Sequence, residues 1–214
     1  MNIVKLFRTL AVFGIATAVA AGTIAEAPTK CLPRPAAQCQ GAKLMRVDWR
    51  NAQLEGSNFR GANLEGANFS GANLKGADFQ GANLQLARMQ RADLSGANLE
   101  GADLRWTNLE RSTLADARLI NARMEKSDLE EADLSGALLG GANLTRADLV
   151  NSDLQQADLR QAKLDGAFLN YANLKQANLS GASPHRTRFV GARLNEAIWI
   201  DGRVCMAPSI GACR

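Results

Sequence analysis

A chain of 214 residues is long enough for one domain with a continuous core, and a hydrophobic content of 46% excludes a disordered one. Twenty-five Lys and Arg against 21 Asp and Glu give a formal charge of +4. Setting aside Lys5 and Arg8 of the leader leaves 25 − 2 = 23 cations against 21 acids, so net charge designates neither nucleic acid nor a membrane as partner.

The chain opens "MNIVKLFRTLAVFGIATAVAAG": two early cations, an apolar run from Leu10 to Ala21, and an Ala18-Val19-Ala20 box. This predicts a secretory signal peptide over 1–20, with an uncleaved N-terminal anchor as the alternative. No cysteine follows the run at the spacing a lipoprotein needs. With the signal removed, no membrane span is expected. The expected compartment is the periplasm, with secretion or an organellar (thylakoid) lumen as alternatives. Residues 21–41 read as an N-terminal segment and cap.

From Leu44 to Trp199 a large apolar residue recurs every fifth position, interrupted only by Pro184, and from Ala42 to Ala197 the residue two before it is always Ala, Ser, Thr or Val. On a helix, five steps leave an offset of about 140°, which scatters these residues over every face. In a flat strand an odd period alternates them between faces. All of them point inward only if the chain turns a corner in each pentad, and the recurrent Gly and Asn tolerate the positive φ of such corners. Four corners close a square, so the (199 − 44)/5 + 1 = 32 pentads of 42–201 make eight coils. Trp49, Phe59, Phe69, Phe79, Phe189 and Trp199 all lie on alternate pentads, which are opposite walls of the square. Rings are therefore expected at the two ends of the core, with Leu between them.

The tandem A(N/D)LxG phrase, clearest in "GANLEGANFSGANLKGADF" at 61–79, resembles the signature of the pentapeptide-repeat family and covers about three quarters of the chain. The resemblance implies an all-β fold, a right-handed quadrilateral parallel β-helix. Eight coils at the strand spacing give a rod of roughly 38 Å. Ends so far apart cannot share a disulfide, so Cys31 is expected to pair with Cys39 and Cys205 with Cys213. Each bridge closes a short loop worth about 2.5 kcal/mol on the chain-entropy model. They read as staples on the end caps, the second at 202–214; a two-cysteine metal site at either end is the alternative.

Catalytic residues are not indicated. The lone histidine, His185, sits in "GASPHRTRFV", read as an exposed loop in a bulge between the seventh and eighth coils, with no nucleophile or orienting acid beside it. No cofactor motif appears. Two surface features stand out where the phrase breaks. Leu86 and Trp106, both at sites usually held by Gly, stack on one corner. With Arg88, Arg91, Arg105, Arg111 and Lys126 around them they have the composition of a protein-binding patch. Further along, Glu110, Asp128, Glu130 and Asp148, with Glu131 beside them, form an acidic stretch. A cation such as Ca²⁺ would relieve its repulsion, although solvation or pairing with Lys126 is the simpler expectation, and no metal is expected.

The reading that follows is a non-enzymatic, exported scaffold or protein-binding rod of the cell envelope, with a protein partner and no nucleic acid. The family resemblance also includes DNA-mimicking, gyrase-binding members, a role disfavoured here by the export signal and the balanced charge. A cation-binding or enzymatic role on the acidic wall is a further alternative. Oligomeric state is open, since long walls can pair while stapled ends oppose end-to-end joining.

Overall fold

The computed structural model describes Cys31–Arg214, so the signal-peptide expectation falls outside the described residues. The pentad geometry can be followed at Leu64. The amide of Ala67 donates to the carbonyl of Leu64 (2.9 Å), closing a four-residue turn whose third residue, Gly66, has φ +65°. Positive φ at that place is the requirement of type II turns. All (196 − 36)/5 + 1 = 33 equivalent corners, from Ala36 to Glu196, have φ between 53° and 71°. The Asn or Asp preceding each wall centre closes a turn of its own. Oδ1 of Asn63 accepts from the amide of Glu65 (3.2 Å), and that of Asp133 from the amide of Ser135 (2.9 Å). This side-chain turn explains why the phrase prefers Asn and Asp there.

Coils stack through three backbone hydrogen bonds per wall. The amide of Leu64 donates to Asn83, that of Asn83 to Ala62 and that of Gly66 to Gln85, at 2.8, 2.9 and 2.8 Å. Parallel pairs link residues twenty apart, from Gln38 with Asn58 to Asn178 with Ile198. The fold is a right-handed quadrilateral parallel β-helix. Coil 1 is 42–61 and each later coil takes the next twenty residues, to coil 8 at 182–201. The frame also extends one pentad further toward the N-terminus than the repeated phrase, because Ala37 and Cys39 occupy inward positions and are buried.

Inside, Leu54 through Leu179 at the wall centres are fully buried. Rings gather at the ends as the alternation predicts: Phe59 stacks on Phe79 at 4.8 Å, Trp49 meets Phe69 edge-on at 5.8 Å, and Phe189 meets Trp199 at 5.5 Å. Buried hydroxyls at the small inward position bond to backbone carbonyls, as Thr107 does to Leu84 (2.8 Å) and Ser127 to Met124 (2.8 Å), so they are buried without losing a partner.

The expected bulge at Pro184 and His185 is absent. Ser183 pairs with Lys163 and Arg188 with Phe168 in the ordinary register. Pro184 is tolerated because it lies in coil 8 on a wall that neither a further coil nor the C-terminal segment covers, so the missing donor leaves no ladder bond broken.

Cys31 is bonded to Cys39 and Cys205 to Cys213. After Asp201 the chain reverses and pairs antiparallel with coil 8, Val204 against Ile198 and Ile210 against Arg193, with Glu196 donating to Cys205 (2.9 Å) and Leu194 to Ser209 (2.8 Å). This covers two walls of the last coil. At the other end, Leu44, Val47 and Trp49 of coil 1 are only partly buried.

Candidate binding wall

Every side chain singled out as a surface candidate falls on one wall and its two bounding turns: residues 45–51 and their equivalents every twenty on. We call this the Trp106 wall. The large apolar side chains exposed on the coils are Met45 (50%), Leu86 (57%), Trp106 (45%), Tyr171 (59%) and Val190 (63%), and all five lie there. The remaining exposed ones among the described residues, Leu32, Val204, Met206 and Ile210, belong to the terminal segments.

Leu86 and Trp106 are neighbours on one corner, in coils 3 and 4, with φ of 59° and 56°. Bulky side chains are rarely found in that conformation, whose cost Gly avoids. Two cations cover the indole: the Arg105 guanidinium is 5.4 Å and the Lys126 ammonium 5.7 Å from the ring centroid. Arg105 is also fixed by Asp103 at 2.7 Å. Burial pushes the Asp103 carboxyl up, but hydrogen bonds from Arg105 outweigh it and hold the group below the ordinary carboxylate value. One coil above Arg105, Oε2 of Glu125 is buried without a hydrogen-bond partner.

The other predicted arginines lie across the wall. Arg88 and Arg91, with Arg50, Asn51, Asn68, Ser70, Gly71, Gln90 and Glu110, line a groove of about 540 Å³ that Leu86 and Trp106 do not line. Arg111 is not free: it binds Glu131 at 2.7 Å and Glu110 at 3.5 Å, and its hydrogen bond holds Glu131 below the usual carboxylate range.

The two aspartates of the acidic stretch are separately engaged. Asp128 accepts from the amide of Glu130 (3.1 Å) and from Asn108 (3.2 Å), and Asp148 accepts from the amide of Val150 (3.1 Å). Asp128 and Asp148 do stack on adjacent coils. Among the described residues no group of three or more His, Cys, Asp or Glu is placed to hold a metal ion.

Sequence reasoning missed an apolar area near the C-terminal end of the same wall. Tyr171, the chain's single tyrosine, also stands at a left-handed corner (φ 60°), and its ring lies where a Cβ on Gly191 would sit. Beside it are Val190, Val150 and Phe168, the last under Arg188 at 5.1 Å. The signal was available: Tyr171 replaces Gly at a corner, as Leu86 and Trp106 do, but on the far edge of the wall.

The family described as Pentapeptide repeats matches in 8 copies, over residues 37–76, 50–85, 72–111, 87–125, 127–166 and 169–198. HetL, a pentapeptide repeat protein involved in heterocyst differentiation regulation from the cyanobacterium Nostoc sp. strain PCC 7120, is 29% identical over 79% of this chain and 92% of its own, with a TM-score of 0.36. QnrB1, a plasmid-mediated fluoroquinolone resistance protein, superposes with a TM-score of 0.65 at 17% identity, covering 69% of this chain and 76% of that one, a likeness of fold. Rfr23 from the cyanobacterium Cyanothece 51142 is 33% identical over 52% of this chain and 63% of its own, with a TM-score of 0.33. No curated protein sequence matches the chain.

Proposed function

Because the chain belongs to the pentapeptide-repeat family, we propose that it is a non-enzymatic, exported protein-binding rod of the cell envelope whose partner docks on the Trp106 wall. The observation behind this reading is that Met45, Leu86, Trp106, Tyr171 and Val190 all lie on the two turns that bound one wall, and none on the other two turns of the coil. A contiguous face with aromatic, aliphatic and Arg side chains has the make-up of a protein interface, and three of these residues hold strained corners that Gly would relieve. Export rests on the leader reading and is supported by the two disulfides, which persist in oxidising compartments.

Photocrosslinking amino acids placed in intact cells at Trp106 and Tyr171, and for comparison at Gly101 and Lys163 on other walls, test the docking claim. Capture of one protein from the first two positions alone is expected; equal capture, or none, from all four contradicts it. Export is tested by counting thiols without reduction, where free thiols would count against an oxidising compartment.

A further inference from the structure

The groove at the N-terminal half of the Trp106 wall has its own chemistry. Coil 2 presents short side chains there, Asn68, Ser70 and Gly71, between longer ones from coils 1 and 3, which leaves an open trough of about 540 Å³. Arg50 lies on one bank, paired with Asp48 at 2.7 Å. Arg88 and Arg91 lie on the other, both exposed, and neither has a carboxylate within ion-pair distance among the described residues. The carboxylate nearest in the groove, Glu110, is drawn instead to Arg111. Two guanidinium forks with nothing to bind are suited to bidentate recognition of carboxylates.

Resting on the docking reading above, we propose that this groove receives an acidic polypeptide segment of the partner, its carboxylates on Arg88 and Arg91 and a neighbouring apolar side chain against Leu86 and Trp106. Arg88 and Arg91 share coil 3 with Leu86, so one extended segment crossing the wall meets both features. Nucleic acid fits less well. No aromatic ring lines the groove for a base to stack on.

The test uses the full mature chain and a fluorescein-labelled peptide of repeated Glu-Leu-Glu-Ser, its Gln counterpart, and a poly-dT oligonucleotide of equal charge, followed by fluorescence anisotropy. The Glu peptide is expected to bind with an affinity that falls as salt rises. The Arg88→Glu/Arg91→Glu variant should bind it at least about tenfold more weakly, the loss of charge-assisted hydrogen bonds, while Lys163→Glu binds normally. Both sites are exposed, so a circular-dichroism melt should show the variant folded. Equal binding of the Gln peptide, equal or tighter binding of the oligonucleotide, no binding of the Glu peptide, or an equal loss in Lys163→Glu overturns the proposal. Self-association of the wild-type chain that Arg88→Glu/Arg91→Glu abolishes also overturns it, by giving the groove to a second copy. Undiminished crosslinking from Trp106 in that variant would remove the groove from the interface while leaving the wall as one.

Discussion

The Trp106 wall and the wall opposite it, residues 55–61 and their equivalents, are built on the same backbone and differ in what they put outside it. The corner column running through Gly41, Gly61, Gly81 and Gly101 is glycine at most levels, whereas the column through Leu86, Trp106, Lys126 and Arg146 keeps glycine only at Gly66 and Gly166. Every one of these residues has the same left-handed φ. On the opposite wall Arg60, Arg118 and Arg160 each hold a carboxylate, while Arg88, Arg91, Arg186 and Arg188 on the Trp106 wall hold none among the described residues. The opposite wall keeps glycine at more of its corners and pairs its arginines; the Trp106 wall keeps fewer, puts large apolar side chains there, and pairs only Arg50, Arg105 and Arg111.

If that difference is confined to the outside, the inside must respond equally. Leu109→Ala behind the Trp106 wall and Leu99→Ala behind the opposite wall, both fully buried, should each lose about 2–5 kcal/mol in urea denaturation. A markedly smaller loss at Leu109 would mean the Trp106 wall is loosely packed. The corners should respond in opposite directions. Gly101→Leu, where φ is +63° and no atom lies within 4 Å of the new Cβ, should cost about 1–2 kcal/mol from backbone strain alone. Leu86→Gly should recover less than that, because added glycine also loosens the unfolded chain by about 0.4–1 kcal/mol. A loss at Leu86→Gly would assign that side chain to stability. Trp106→Gly should leave stability about level, because the loss of about 0.5–1 kcal/mol with each exposed cation contact offsets the corner strain of about 1–2 kcal/mol that Gly relieves.

Charge pairing should separate the walls least. The Arg111 hydrogen bond lowers the Glu131 pKa on one wall, as the Arg160 hydrogen bond lowers that of Asp158 on the other. A depressed carboxyl stabilises the fold above its unfolded pKa, about 4.3 for Glu and 3.9 for Asp, and that contribution disappears as pH falls through the lower folded value. Glu131→Gln and Asp158→Asn should therefore both weaken the protein slightly at neutral pH and match wild type once the carboxylates are protonated. An effect that grows in acid would contradict the assigned pairing.

Much of the frame was legible because a five-residue period admits few geometries. The inward column, the ring-rich ends and both disulfides follow from the spacing and the rod it implies. The pentad at Ala37 and Cys39 was hidden because a cysteine takes the place of Leu. Pro184 suggested a bulge because the sequence does not show that its wall of coil 8 has no ladder bond to lose, the C-terminal segment pairing at Leu194 and Trp199 instead. The candidate patch was legible as a set of residues but not as contacts. Stacking by twenty puts Trp106 under Lys126, but only side-chain direction shows that Arg111 turns to Glu131 and that Arg88 and Arg91 are left over. The same holds for Gly191, whose missing side chain is accounted for by the ring of Tyr171 lying over it.

The central claim, that Leu86 and Trp106 are kept for a partner at the expense of the fold, is tested most directly by a Leu86→Gly/Trp106→Gly variant with a photocrosslinker at Tyr171. Partner capture and thermal stability are then measured together. Capture from Tyr171 should be lost while the melting temperature stays level or rises. Capture at the wild-type level, or a clear fall in melting temperature, would contradict the claim.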